Sequence, residues 1–147
     1  MRPGFFSNLN ASGKDYCFEI ALRDGGRVLS RVPVSPGEEI LFTYIHSADK
    51  TPVEQLFVAG DDGLLHLLEE RYHWYGSGLE FGSGLDFSYD DGVVTVSGYD
   101  RSFATLPLRA AWTVPQEFFI RDTRILLSDL VPGGTPLVIR ITECNPP

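Results

Sequence analysis

The stretch Tyr16-Cys17-Phe18-Glu19-Ile20-Ala21-Leu22, Arg23-Asp24-Gly25-Gly26, Arg27-Val28-Leu29-Ser30-Arg31-Val32-Pro33-Val34 reads as two strands folded back on a glycine turn. Its first run alternates toward Asp24-Gly25-Gly26, and its second returns to a new corner at Ser35-Pro36-Gly37. Glycine supplies the positive φ that a primed hairpin turn demands, so the pattern predicts an antiparallel pair by a stated mechanism.

The same grammar continues to the C-terminus. Strands are predicted at Glu39 to His46, Val53 to Ala59, Leu64 to Tyr72, Asp86 to Tyr89, Val93 to Gly98, Phe103 to Trp112, Glu117 to Ile120, Thr123 to Leu127 and Leu137 to Glu143. The corners between them include Gly60-Asp61-Asp62-Gly63 and Asp90-Asp91-Gly92, the latter a strong short-range hairpin signal. Strand-like runs at spacings of about ten residues indicate a sandwich or barrel rather than βαβ units. The expected fold is therefore all-β, a two-sheet antiparallel β-sandwich of immunoglobulin-like or jelly-roll-like type. Little helix is expected beyond the turn Leu127-Ser128-Asp129-Leu130, which Pro132-Gly133-Gly134 cuts short. Trp112, with Trp74 or Tyr75, is expected to fill the core.

At 147 residues the chain suits one domain, expected over residues 16–147 behind a flexible N-terminal segment, residues 1–15. No apolar run approaches the roughly 20 residues of a membrane-spanning helix. A net charge of −8, with the acids scattered, opposes approach to phosphate backbones and disfavours nucleic acid as a partner. Cys17 lies in the first predicted strand and Cys144 just past the last. In an oxidising compartment they would bridge the two ends of the domain; in a reducing one they would be two thiols.

Chemistry-bearing residues gather in two places. Tyr44-Ile45-His46-Ser47-Ala48-Asp49-Lys50-Thr51-Pro52-Val53 brings an imidazole, hydroxyls, a carboxylate and an ammonium to one strand end and loop. His46, Ser47, Lys50 and Thr51 are its candidate binding residues; the alternative is a turn whose oxygens satisfy local backbone N–H groups. His46 and Ser47, as strand neighbours, point to opposite faces and do not suggest a nucleophile beside its base. The second place is Arg71-Tyr72-His73-Trp74-Tyr75-Gly76-Ser77-Gly78-Leu79, where Trp74, Tyr75 and Ser77 are candidates for a stacking platform beside a glycine loop. A nucleophile elbow at Ser77 is excluded because Tyr75 stands where its first glycine belongs. No histidine or cysteine spacing suits zinc, and neither acidic turn continues as a calcium loop, so no catalytic residue, metal or cofactor is expected.

Tyr44-Ile45-His46-Ser47 followed by Lys50-Thr51-Pro52-Val53, with Phe57 two positions beyond Gln55, resembles the hallmark of a small bacterial family, domain-of-unknown-function family 1850. Relatives often carry a glutamate two residues after the valine, where this chain has Gln55 and places the acid at Glu54. Tyr75-Gly76-Ser77-Gly78-Leu79 is a second similar element, although relatives tend to have alanine at Ser77 and proline at Glu80. Leu126-Leu127 through Pro132-Gly133 and Val138-Ile139 resembles the family's end. The likeness runs from about Cys17 onward. It implies a protein associated with TRAP-type solute transporters of the TAXI branch, periplasmic or membrane-associated facing the periplasm. Relatives commonly begin with a hydrophobic export or anchor segment, and Met1 to Ser7 lacks one, so trimming of the chain or a departure from its relatives is expected. The resulting expectation is a non-enzymatic accessory touching a permease or its substrate-binding protein. The alternative is a module for a small acidic or carbohydrate-like solute.

Overall fold

Glycine-bearing corners set the frame in a computed structural model that describes residues 15–46, 50–73 and 85–144. Residues 1–14 of the anticipated N-terminal segment, Ser47 and the glycine loop Tyr75 to Leu79 lie outside the described residues. Asp91 and Gly92 take φ of 50° and 82°, the two positive values of a two-residue primed turn. That turn joins β6 (Asp86–Asp90) to β7 (Val93–Phe103).

The remaining strands are β1 (Tyr16–Leu22), β2 (Val28–Val34), β3 (Glu39–Ile45), β4 (Pro52–Ala59), β5 (Leu65–His73), β8 (Leu106–Arg109), β9 (Gln116–Ile120), β10 (Thr123–Leu126) and β11 (Pro136–Glu143). A 3-10 turn, Leu127–Asp129, stands where the helical turn was expected. The strands form two antiparallel sheets, in the orders β2-β1-β11-β8 and β10-β9-β3-β4-β5-β7-β6. This is the all-β sandwich that the turn spacing predicts. Pro33 and Pro107 lie in the edge strands β2 and β8, where a missing N–H costs no ladder bond.

Alternating residues meet between the layers. Phe18 on β1 packs at 5.0 Å between ring centroids against Phe118 on β9, which stacks in turn on Phe42 of β3 at 4.5 Å. Ile20, Ile40, Ile120, Leu137 and Ile139 fill the space around these rings and are fully shielded from solvent. Each such side chain contributes about 1.5–3 kcal/mol by leaving water.

Two expectations are corrected. The predicted strand Phe103 to Trp112 does not exist as one element, because β7 runs on past Gly98 to Phe103 and β8 occupies only Leu106–Arg109. Gly98, at φ 83°, absorbs a bulge in which β7 advances four residues, Ser97 to Arg101, while β5 advances two, Glu69 back to Leu67. Trp112 is not a core residue; it is 80% exposed. Its ring lies over Gly133 and Gly134, where an added Cβ would come within 2.9 Å and 2.6 Å of it.

The outer face of β1 is as buried as its inner one. Glu19 is 2% exposed and receives paired bonds from two guanidinium groups, Arg31 on β2 at 2.8 and 3.0 Å and Arg140 on β11 at 2.6 and 2.8 Å. Burial alone would push this carboxyl up; the bonds from Arg140 and Arg31 outweigh it and hold the group below its ordinary value. One turn of sheet away, Cys17 and Cys144 are joined as a disulfide with Cα atoms 5.2 Å apart, closing a separation of 127 residues. Asp15 and Cys144 meet there, the Cys144 N–H donating to the Asp15 carbonyl at 2.8 Å. The Tyr16 ring, in the same corner, lies against the turn at Gly63, where an added Cβ would meet it at 3.5 Å.

Replacing Cys17 and Cys144 by alanine is expected to reduce stability by about 4–5 kcal/mol through loop entropy in the unfolded chain, read by urea unfolding of the two forms. Glu19→Gln is expected to cost about 2 kcal/mol at pH 7. A carboxyl depressed in the folded state contributes fully above its unfolded pKa and loses that contribution as pH falls through the folded one. The gap between Glu19→Gln and the parent chain should therefore close below the ordinary carboxylate range, which paired unfolding curves at pH 7 and pH 3 will measure.

Candidate functional site

A slip in one strand decides what faces inward at the far end of the larger sheet. Strict alternation from Leu65 and Leu67 would turn Glu69, Arg71 and His73 toward the other layer. Instead Leu68 is an extra residue: Phe57 pairs with Leu67 while Leu56 pairs with Glu69, and Leu68 is left 40% exposed. The face of every later β5 residue is thereby inverted.

Two cross-strand rows result on the inner face. One runs Phe42, Gln55, Glu70, Val96, Phe87; the other runs Tyr44, Val53, Tyr72, Val94, Tyr89. The Gln55 side-chain amide donates to Glu70 Oε2 at 2.6 Å. On the opposite face Arg71 pairs outward with Glu69 at 3.2 Å and Glu54 at 3.6 Å.

Beyond these rows the strand ends form a cleft of about 250 Å³, lined by Tyr44, His46, Thr51, Val53, Glu70, Tyr72 and His73. A second hollow, of about 340 Å³, lies round the same strand ends and shares Tyr72 and His73 with it, together with Pro52, Glu54, Arg71 and Val93. Burial, then the negative charge of Glu70, pushes the phenols of Tyr44 and Tyr72 above their ordinary values. Tyr99 is raised by burial, by Glu70 and by Tyr72, with Arg101 acting against them. Three phenols thus register one carboxylate.

Of the sequence-predicted residues, His46 and Thr51 line this cleft. Their backbones close the hairpin between β3 and β4, the His46 N–H donating to the Thr51 carbonyl at 2.8 Å. Lys50 does not line it: the residue is exposed, takes φ 60° and serves the turn through its N–H, which donates to the His46 carbonyl at 2.8 Å. Ser47, Trp74, Tyr75 and Ser77 lie outside the described residues. Glu70, Tyr72, His73 and Tyr44 are additions that sequence reasoning did not select as site residues. The doublet Leu67-Leu68, two apolar residues in succession inside an alternating strand, was the available signal for the slip that exposes them.

The family model for the domain of unknown function DUF1850 matches residues 40–127, more than half of the chain. This chain belongs to the DUF1850 family. The matched range takes in the seven-stranded sheet from the second residue of β3 to the end of β10, and so every residue of the DUF1850 cleft. No curated protein and no solved structure matches the chain. Among the described residues of this DUF1850 member, no group of three or more His, Cys, Asp or Glu side chains is placed to hold a metal ion.

Gln55→Glu is expected to set two carboxylates against each other across the β4–β5 ladder and to raise the pKa of one of them in the folded state. A raised carboxyl contributes fully below its unfolded pKa and loses that contribution as pH rises. The variant should therefore match the parent near pH 4 and fall about 1–2 kcal/mol behind it by pH 7, as urea midpoints at the two pH values will show.

Proposed function

We propose that the chain is a non-enzymatic, extracytoplasmic interaction module that assists a TRAP-type solute transporter, meeting the permease or its substrate-binding protein through the strand end that carries the cleft. The observation that carries this reading is the cleft itself. β3, β5 and the hairpin connection between β3 and β4 deliver Tyr44, His46, Thr51, Glu70, Tyr72 and His73 to one concavity, a mixture of ring faces and hydrogen-bonding tips typical of anchoring positions.

The disulfide between Cys17 and Cys144 supports the compartment, since such bonds persist in the periplasm and are rare in the cytosol. No helix among the described residues is long and apolar enough to cross a membrane. The likeness around His46 and Thr51 supports the choice of transporter.

One observation favours a second reading, a small-solute module. The cleft is concave and lined in part by aromatic rings, as solute sites are. Within that reading Glu70 disfavours an acidic solute and leaves the hydroxyl-rich, carbohydrate-like class. A solute at a hundred times its Kd would add about 2.7 kcal/mol to stability, several degrees in melting temperature.

The transporter reading is tested by affinity purification of the tagged chain from detergent-solubilised membranes of cells that express the permease and its binding protein. Recovery of either subunit is expected, falling about tenfold with His73→Ala or Tyr72→Ser, the loss of one anchor worth ~1.4 kcal/mol. Absence of both subunits, or recovery indifferent to these substitutions, would overturn it.

A further inference from the structure

Glu70 breaks the pattern of the face it occupies. The inner surface of the larger sheet carries Phe42, Phe57, Val94, Val96 and Phe118, each less than 5% exposed, beside Gln55, Tyr44 and Tyr72, and a half-buried carboxylate on such a face calls for a compensating partner. Gln55 supplies one hydrogen bond. Among the described residues no lysine or arginine forms an ion pair with Glu70, and its neighbour Arg71 is committed outward to Glu54 and Glu69.

We propose that the strand-end cleft is a receptor for a positively charged group, an alkylammonium or a guanidinium, with Glu70 as its counter-ion and the rings of Tyr44 and Tyr72 as walls. The inference rests on the reading of the cleft as the recognition face. Its physical basis is threefold. A carboxylate beside tyrosine rings attracts a cation both as a charge and through the negative ring faces. The volume, about 250 Å³, suits a head group or a single side-chain tip, below the roughly 300 Å³ at which sites for whole drug-sized ligands begin. The chain's net charge of −8 adds a background potential that draws cations in and keeps anions out. Burial, and after it the charge of this same Glu70, raises the phenols of Tyr44, Tyr72 and Tyr99, so the field of the carboxylate reaches the walls of the cleft.

The test is amide-shift mapping on the isotope-labelled chain with n-butylammonium chloride and ethylguanidinium chloride, against sodium butyrate and n-butanol at matched ionic strength. Saturable shifts at Tyr44, Glu70 and Tyr72 are expected with the two cations, and none with butyrate or butanol. Glu70→Gln should weaken the cations at least tenfold; should that variant fail to fold, the location of the shifts in the parent chain still decides. No saturable shift, shifts elsewhere on the surface, or equal effects of butanol would overturn the proposal. Affinity purification with Glu70→Gln then separates the two sources of such a group. Loss of the transporter subunit assigns the cation to a lysine or arginine of that partner, while undiminished capture assigns it to a free amine. If the parent chain captures no subunit yet binds the amine at Glu70, the partner reading fails and the cation receptor stands.

Discussion

Phe118 is the side chain through which the two layers are joined. It touches Phe18 of the four-stranded sheet and Phe42 of its own seven-stranded sheet, so a single ring transmits the packing of one layer to the other. Alternation holds that contact in register, because a slip of one position would bring Cys17 or Glu19 in place of Phe18, and Leu41 or Thr43 in place of Phe42, to face Phe118. The buried Glu19 with its two arginines belongs to the same constraint seen from outside. It ties β2 and β11 to β1 on the face turned away from the core.

The corners were legible in the sequence because their chemistry is local. Asp24-Gly25-Gly26, Ser35-Pro36-Gly37 and Asp91-Gly92 place glycine at the left-handed positions, and the strands begin and end beside them. The sandwich followed from their spacing. The bulges were not legible, since a bulge is a relation between two strands and only one is visible at a time. Gly98 has the chemistry of a strand end and in fact lies mid-strand, its φ of 83° absorbed by the slip against β5. Trp112 has the composition of a core residue, yet finds its contact on Gly133 and Gly134 at the surface.

The same limit explains the site. His46 and Thr51 were found because loop composition singles them out, whereas Glu70 looks in sequence like one more solvent-facing acid of the run Glu69-Glu70-Arg71. Only the extra residue at Leu68 turns it inward and pairs it with Gln55. The position two after Val53, at which this chain differs from the pattern it resembles, is thus the one that answers Glu70 across the ladder.

The joining of the first and last strands has a consequence for presentation. Asp15 and Cys144 lie side by side, beside the Tyr16 ring and the Gly63 corner, which is the end of β4 and β5 opposite to His46, Thr51 and His73. Both residues therefore lie at one end of these strands and the cleft at the other, roughly 25 Å away along an eight-residue strand. A tether spliced directly to Asp15 or Cys144 would hold the domain like a stalked cup, its mouth turned away from the surface of attachment.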